Sequence, residues 1–140
     1  MVNRLTDQVF YIRENDDWVL KRTQDIFNDK EVVVFGLPGA FTPTCSAFQL
    51  PKFEDLYDEF KDLGIDEVYC TSVNDSFVMN AWFEQQGITK VKALPDGNGD
   101  FAKSVNMIND FTNRGFGMRS WRYCMYVKNA EIKVRYPVFF

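Results

Sequence analysis

The sequence predicts an α/β fold with a mixed central sheet, and three features of its hydrophobic pattern support this. Residues 31–37, EVVVFGL, are valine-rich and apolar after Glu31, which is typical of a buried central strand. Segments with helical spacing of apolar residues alternate with further strand-like runs. Near each end of the chain, two strand-like runs flank a short polar turn, as in a hairpin, so some strands are antiparallel.

The N-terminal half is expected to contain a hairpin, the central strand and a long helix. The predicted elements are strands at 9–13 and 18–21, a strand at 31–37 and a helix at 45–63. Gly64 is a suitable end for the long helix. Pro51 lies inside that helix and has no backbone N–H to donate, so we expect a kink there.

The same alternation continues in the C-terminal half. The predicted elements are a strand at 67–73, a helix at 77–86, a strand at 91–94, a helix at 101–108, and strands at 123–128 and 131–136. Asn74, Asp75 and Ser76 offer caps for the second helix, and Gly87 ends it. Residues 109–119 have the composition of a loop.

Length and charge restrict the possible functions. A chain of 140 residues fits one domain, here residues 1–140. Acidic residues exceed basic ones by 20 to 16, a net charge of −4 that disfavours binding to nucleic acid or an anionic membrane. The N-terminus lacks the apolar core of a signal peptide, and no apolar run approaches the ~20 residues of a membrane span.

Cysteine and histidine content restrict the chemistry. Three widely spaced cysteines do not suggest a disulfide framework, so we expect a cytoplasmic protein with reduced thiols. The absence of histidine excludes Ser-His-Asp and Cys-His catalysis and every histidine-containing metal site. We expect neither a metal nor a cofactor, and any reactive cysteine must be activated without an imidazole.

The segment PGAFTPTCS at residues 38–46 places a cysteine at the expected start of the long helix. Thr42 is a good N-cap and Pro43 a good first helical residue, so Cys45 falls in the first turn. Free backbone N–H groups and the helix dipole lower the pKa of a thiol there. The thiolate would then occupy the third position, where a capping box has an acidic residue.

Two further residues of this segment have particular backbone properties. Gly39 permits a close backbone approach or a positive φ, and Pro38 presents a rigid surface without a donor. A lone cysteine is more often an inert buried side chain. An inert cysteine does not need a strand, a tight turn and a helix cap around it, so the setting favours a reactive one.

These residues carry a resemblance to a known family. Pro38, Thr42 and Cys45 form the pattern P-x-x-x-T-x-x-C, and the chain resembles the peroxiredoxins, in particular the peroxiredoxin 5 subfamily and the bacterial hybrids that fuse it to a glutaredoxin. Three more segments carry the likeness: SVNDSFVMNAW (72–82), LPDGNGDF (94–101) and GFGMRSWRY (115–123). The resemblance covers most of the chain and implies a thioredoxin-like fold.

The resemblance implies a thiol-dependent peroxidase that reduces hydrogen peroxide and small alkyl hydroperoxides. Cys45 would attack the peroxide and become a sulfenic acid, Thr42 would bind the peroxide through its hydroxyl, and Pro38 would shield the thiolate. Arg122 matches the family's catalytic arginine and would stabilise negative charge, with Arg119 as the rival.

Three neighbours of the cysteine complete the expected substrate site. They are Gly39, Phe41 and Thr44, the last contributing its backbone N–H together with that of Cys45.

The other two cysteines, Cys70 and Cys124, lie in predicted strands and form no C-x-x-C with Cys45, so we expect buried thiols without a redox role. An external thiol would therefore reduce the sulfenic acid. Glutathione with glutaredoxin is the first expectation and thioredoxin the second. A different class of function remains open, namely a thioredoxin-fold redox sensor with little turnover. A glutathione transferase is a weaker third option because no separate helical domain is visible.

The resemblance also implies a homodimer and shows two departures. Apolar residues at 77–83 fit either the core or a dimer contact formed with residues 38–43 and 115–119. Gln49 stands where the subfamily usually has histidine. Family members continue past the last strand into a further helix, which is missing here, so we expect an uncovered sheet face that favours association.

Overall fold

The structure, a computed structural model, describes residues 3–138, apart from the side chains of Cys45, Ala47 and Val138. The strands are β1 (Val9–Glu14), β2 (Asp17–Arg22), β3 (Glu31–Gly36), β4 (Glu67–Ser72), β5 (Lys92–Pro95), β6 (Ile108–Asp110), β7 (Met118–Ser120), β8 (Arg122–Lys128) and β9 (Glu131–Val138). The helices are α1 (Thr23–Phe27), a π-helical segment (Cys45–Gln49), α2 (Leu50–Asp62), α3 (Ser76–Gln86), α4 (Asp100–Ser104) and a 3₁₀ turn (Thr112–Arg114).

Five strands form the central sheet in the order β5-β4-β3-β8-β9. β3, β4 and β5 are parallel, whereas β8 runs antiparallel to both β3 and β9. The sheet is therefore mixed, with the valine-rich strand at its centre, as the sequence predicts. β1 and β2 form a separate antiparallel hairpin, which confirms the predicted N-terminal hairpin.

Both faces of the sheet are covered at β3, which explains why residues 32–35 of this strand are apolar. Val32 and Val34 face a core shared with the hairpin, α1 and α4. Val33 and Phe35 face the opposite core, which α2 and α3 complete. The side chains of a strand alternate between its two faces, so each of residues 32–35 packs against an apolar core.

The structure contains a helix that the hydrophobic pattern did not reveal. α1 is only five residues long, and its Thr and Asp residues have weak helix propensity. Ile26 and Phe27 are fully buried in the core below the hairpin. Packing of these two side chains, which sequence periodicity over five positions cannot show, stabilises the helix.

Two predictions for the C-terminal half are wrong. The helix predicted at 101–108 is the shorter α4, because Asn106 adopts a left-handed conformation with φ 61° and ends the helical path. The loop predicted at 109–119 contains β6 and β7, which pair with each other. A ladder of three residue pairs has too little apolar alternation to be visible in the sequence.

The helix around Pro51 deviates from a regular α-helix, as predicted, and the deviation takes the form of a π-helical segment. The wide turns end at Gln49, and Pro51 falls in the first turn of α2. Proline has no N–H for an i→i−4 bond, so the regular α-helical bonding pattern is interrupted where the π-helical segment meets α2. Gly64, at φ 94°, follows the helix as predicted.

The described chain ends in β9, so the further helix that the resemblance implies has no counterpart among these residues. Val134 and Tyr136 pair with Tyr126 and Cys124 on the α2 side of the sheet and are 37% and 65% exposed. Within residues 3–138, no helix combines the length and the apolar character needed to cross a membrane.

Candidate active site

The segment that follows β3 turns sharply before the long helix begins. Pro38, Gly39 and Ala40, which belong to this segment, are buried. Phe41 then adopts a left-handed conformation with φ 63°, and its side chain is 51% exposed. This conformation is uncommon for a bulky residue and is found where surrounding contacts enforce it. The loop is therefore held in shape by its neighbours.

The helix begins at Pro43, directly after Thr42, as predicted. The backbone N–H of Ser46 donates to the Thr42 carbonyl over 3.0 Å, which closes the first turn. The Thr42 hydroxyl donates to the Gly39 carbonyl over 2.7 Å, so its lone pairs remain able to accept a hydrogen bond. Cys45 opens the π-helical segment. Its side chain lies outside the described atoms, and the capping-box arrangement stays a prediction.

The turn that carries Cys45 is fixed to α3. The indole Nε1–H of Trp82 donates to the hydroxyl of Ser46, the next residue, over 2.9 Å. Trp82 is fully buried, and so is Leu50 at the end of the π-helical segment. A buried aromatic anchor of this kind restricts rotation of the turn relative to the sheet.

Arg122 lies against the same segment. It is the first residue of β8, and its Nη1 donates to Oε1 of Gln49 over 2.7 Å. Positions 45 and 49 are about one turn apart, so the guanidinium lies beside the turn that carries Cys45. The strand predicted at 123–128 thus begins one residue earlier, at Arg122 itself.

Arg119, the rival arginine, occupies a different part of the site. Its Nη1 donates to the Pro38 carbonyl over 2.9 Å and its Nε donates to the Phe116 carbonyl over 3.2 Å. Arg119 therefore contacts the loop backbone, whereas Arg122 contacts the helix. The structure brings both arginines to the loop and helix that surround Cys45.

Two residues of the site were missed in the sequence. Oδ1 of Asn74 accepts from the Ala40 N–H over 3.0 Å and from the Ser72 hydroxyl over 2.7 Å. Asn74 follows β4, which is parallel to β3, so both strands deliver their next residues to one sheet edge. The sequence could have indicated Asn74, because a polar residue that directly follows a strand next to β3 is expected near the loop. Gln49 was noted only as a departure from the family, yet it accepts the hydrogen bond from Arg122.

The remaining predicted substrate residues surround the helix start. Thr44 and Phe41 are exposed, and Gly39 is buried. A Cβ on Gly39 would lie 2.4 Å from Nη1 of Arg119. Its φ is not in the left-handed region. Of the two roles considered for this glycine, the structure supports the close approach.

The two other cysteines lie in the sheet. Cys70 is fully buried. Cys124 pairs in register with Phe35, and burial raises its pKa to about 11. A thiol with this pKa is almost entirely protonated near neutral pH and is a poor nucleophile. Cys70 agrees with the prediction of a buried thiol, whereas Cys124 is only partly buried.

Exposed apolar side chains surround the loop. The exposed fractions are 51% for Phe41, 70% for Phe48, 36% for Phe116 and 50% for Met118. In the helix that was assigned either to the core or to a dimer contact, Met79, Trp82 and Phe83 lie in the core, whereas Phe77 is 56% exposed.

The architecture is a thioredoxin-like α/β fold with a cysteine at the start of its first long helix. A family model described as Redoxin matches residues 12–139, and the chain belongs to the Redoxin family. Its relatives are peroxiredoxins, which confirms the resemblance seen in the sequence motifs. A peroxiredoxin of Rhizobium etli is 54% identical over 116 residues, which cover 83% of this chain and 65% of that protein.

Two further matches refine this relationship. The hybrid peroxiredoxin hyPrx5 of Haemophilus influenzae is 47% identical over 124 residues, 89% of this chain and 52% of that protein. The crystal structure of reduced Prx3 from Vibrio vulnificus in complex with H2O2 has a TM-score of 0.93 at 33% identity and covers 99% of this chain and 87% of that one. The chain thus spans about two thirds of one curated relative and about half of the other.

Proposed function

We propose that this chain is a thiol peroxidase that reduces hydrogen peroxide and small alkyl hydroperoxides at Cys45. Membership of the Redoxin family and the 54% identity to a peroxiredoxin support this class of reaction. The observation that carries the proposal is local. Cys45 lies in the first turns of a helix whose start is fixed by Thr42 and Pro43, with Arg122 bonded to the same segment at Gln49.

The chemistry follows from a thiolate at this position. Cys45 attacks one oxygen of the peroxide, an S–O bond forms, and the O–O bond breaks. The cysteine is oxidised to a sulfenic acid. The peroxide is reduced, and its leaving oxygen takes up the proton that the thiol released, which gives water or an alcohol.

Each predicted residue has a role in this step that fits its contacts. The Thr42 hydroxyl donates a hydrogen bond to the Gly39 carbonyl, so its oxygen would accept a hydrogen bond from the peroxide O–H. Arg122 would stabilise the thiolate and the charge that develops on the leaving oxygen. Pro38, which has no N–H, would limit hydration of the thiolate.

The remaining candidates would bind the peroxide or restrict access to it. The backbone N–H groups of Thr44 and Cys45 belong to the first helical turn, where such groups lack partners within the helix, and would bind the peroxide oxygens. Gly39 allows the loop to pack closely, and the exposed Phe41 would border the entrance to the site.

An external thiol would complete the cycle, in the cytoplasm where thiols stay reduced. The first thiol attacks the sulfenic sulfur, releasing water and leaving a mixed disulfide on Cys45. A second thiol breaks that disulfide and restores Cys45. The 47% identity to a hybrid peroxiredoxin supports glutathione with glutaredoxin as the first reductant to test, with thioredoxin next. The raised pKa of Cys124 supports a cycle with one reactive cysteine.

A homodimer is proposed for the same protein. The side chains of Phe41, Phe77, Phe116 and Met118 are exposed, and exposed apolar side chains favour association where they form a patch. Measuring the molar mass of the wild type beside Phe116→Ser by light scattering tests this. Equal monomer masses for both would contradict the dimer.

The test of the activity is consumption of hydrogen peroxide by the purified chain with glutathione and glutaredoxin, and separately with thioredoxin and its reductase. The account expects multiple turnovers in at least one system and none with Cys45→Ser. Consumption of a single equivalent in every system would indicate a redox sensor instead. Turnover that persists in Cys45→Ser would place the chemistry elsewhere and refute the proposal.

A further inference from the structure

The backbone of the active-site loop is held by side chains that come from three separate parts of the chain. Arg119, from β7, binds the Pro38 carbonyl at 2.9 Å. Asn74, which follows β4, binds the Ala40 N–H at 3.0 Å. Thr42 closes the loop on itself through the Gly39 carbonyl. Three consecutive residues of the loop, 38–40, thus each have a backbone group bonded to a side chain.

Arg119 is itself held firmly. Its backbone pairs with Asn109 in the β6–β7 ladder. Its Nε donates to the Phe116 carbonyl at 3.2 Å, and its guanidinium carbon lies 5.3 Å from the centre of the Phe116 ring. A guanidinium held by one carbonyl and one aromatic face has its remaining N–H groups pre-oriented. Nη1 is therefore directed at Pro38 without a large loss of side-chain freedom.

Gly39 provides the space that this contact requires. A Cβ at position 39 would lie 2.4 Å from Nη1 of Arg119, which is closer than two non-bonded atoms can approach. The nearest atom belongs to the end of a long side chain. A methyl group at position 39 would therefore displace the guanidinium from the Pro38 carbonyl before it moved the backbone.

We propose that Arg119 is a positioning residue for the Cys45 site and acts as one unit with Gly39. The guanidinium fixes the Pro38 carbonyl, and through it the loop that presents Pro38 and Thr42 to the helix start. Arg119 thus acts on the backbone, whereas Arg122 acts at the reacting atoms. This inference rests on the proposed peroxidase function for its kinetic readout, but its structural readout does not depend on that function.

The test is a double-mutant cycle with Gly39→Ala, Arg119→Ala and the variant that carries both changes. A misplaced loop is expected to lower kcat/KM for hydrogen peroxide by about 10- to 100-fold. If the alanine methyl acts by displacing Arg119, both single variants show the same loss and the double variant loses no more than either. Arg119→Lys, which keeps one donor, restores part of the activity. Additive losses in the double variant would overturn the proposed coupling.

A second readout separates this inference from the peroxidase proposal. Amide hydrogen exchange of the peptide that contains residues 38–42, followed by mass spectrometry, is expected to accelerate in Arg119→Ala and in Gly39→Ala, with equal thermal unfolding temperatures. Arg114→Ala is the matched control, since Arg114 lies over the Phe111 ring in the same loop region. It is expected to leave both exchange and activity unchanged. Wild-type exchange at 38–42 in Arg119→Ala would overturn the proposal whether or not the chain reduces peroxide.

Discussion

The turn that carries Cys45 and the strand that carries Cys124 give the same type of side chain two different surroundings. Cys45 lies where backbone regularity breaks down, between a loop held by side-chain hydrogen bonds and a π-helical segment. Cys124 lies within a regular ladder, opposite Phe35, and burial raises its pKa to about 11. The first region offers backbone N–H groups and an arginine to an anion, whereas in the second the ladder already uses the N–H groups.

This difference shows that the backbone around a cysteine determines whether its thiolate is stabilised. Strand hydrogen bonds satisfy the main chain, and an apolar core then penalises any charge. The first turn of a helix has N–H groups without helical partners and favours negative charge. The predictions below change one side of this comparison at a time.

The largest effect is expected at Arg122, which supplies positive charge to the Cys45 side. Arg122→Met keeps a long stem but removes every donor, so kcat/KM for hydrogen peroxide should fall by about 100- to 1000-fold. Stopped-flow measurement of the reaction with peroxide checks this, with thermal unfolding as the control for folding. Arg122→Lys retains the charge and should lose less. A Met variant within about threefold of the wild type would show that the helix start alone activates the thiol.

The surroundings of Cys124 are tested by the pH dependence of the unfolding free energy. Burial raises the pKa of Cys124 to about 11 in the folded state, above the ~8.5 of an unfolded cysteine. The folded state holds this proton more tightly, so the stability it contributes is fully present below pH ~8.5 and is lost as pH rises through about 11. The unfolding free energy of the wild type relative to Cys124→Ala should fall by roughly 3 kcal/mol over this window.

Denaturant unfolding of both proteins at several pH values between 8 and 11 measures this difference. The comparison with Cys124→Ala is needed because tyrosines titrate in the same range. Parallel pH profiles for the two proteins would mean that the partial burial of Cys124 does not raise its pKa.

A smaller effect is expected at Gln49, whose contact with the site among the described side chains is the hydrogen bond from Arg122. Gln49→Ala removes the acceptor of the 2.7 Å hydrogen bond from Arg122, and kcat/KM should fall about 3- to 10-fold. Gln49→His is the matched variant, because a neutral imidazole nitrogen can accept the same bond above pH ~7. It should recover most of the loss at pH 8 and less at pH 5.5. Equal losses of kcat/KM in Gln49→Ala and Gln49→His at pH 8 would show that this hydrogen bond does not contribute to activity.

The fold and the helix start could be predicted because their determinants are local. After Glu31, residues 32–37 carry no charged or polar side chain, so the sequence indicates the central strand, and Thr42 with Pro43 indicates a helix start from adjacent residues alone. α1 could not be predicted, since a helix of five residues is too short to be stable without the packing of Ile26 and Phe27. The π-helical segment shows a related limit, because Pro51 indicated an irregularity but not its form.

The contacts that shape the site could not be predicted for a different reason. Arg119 and the Pro38 carbonyl are 81 residues apart, and Arg122 and Gln49 are 73 apart. No periodicity connects such distant positions, so Arg119 and Arg122 were rivals for a single role. Only the folded chain shows that one binds the loop backbone and the other binds the helix.

The central claim is that oxidation by peroxide is confined to the cysteine at the helix start. The most direct measurement is to add hydrogen peroxide below one equivalent to the reduced chain in the presence of dimedone, which traps sulfenic acid, and to map the adduct by peptide mass spectrometry. The account predicts an adduct on Cys45, with Cys70 and Cys124 unmodified until the protein is unfolded in denaturant. An adduct mainly on Cys70 or Cys124 of the folded protein would contradict it.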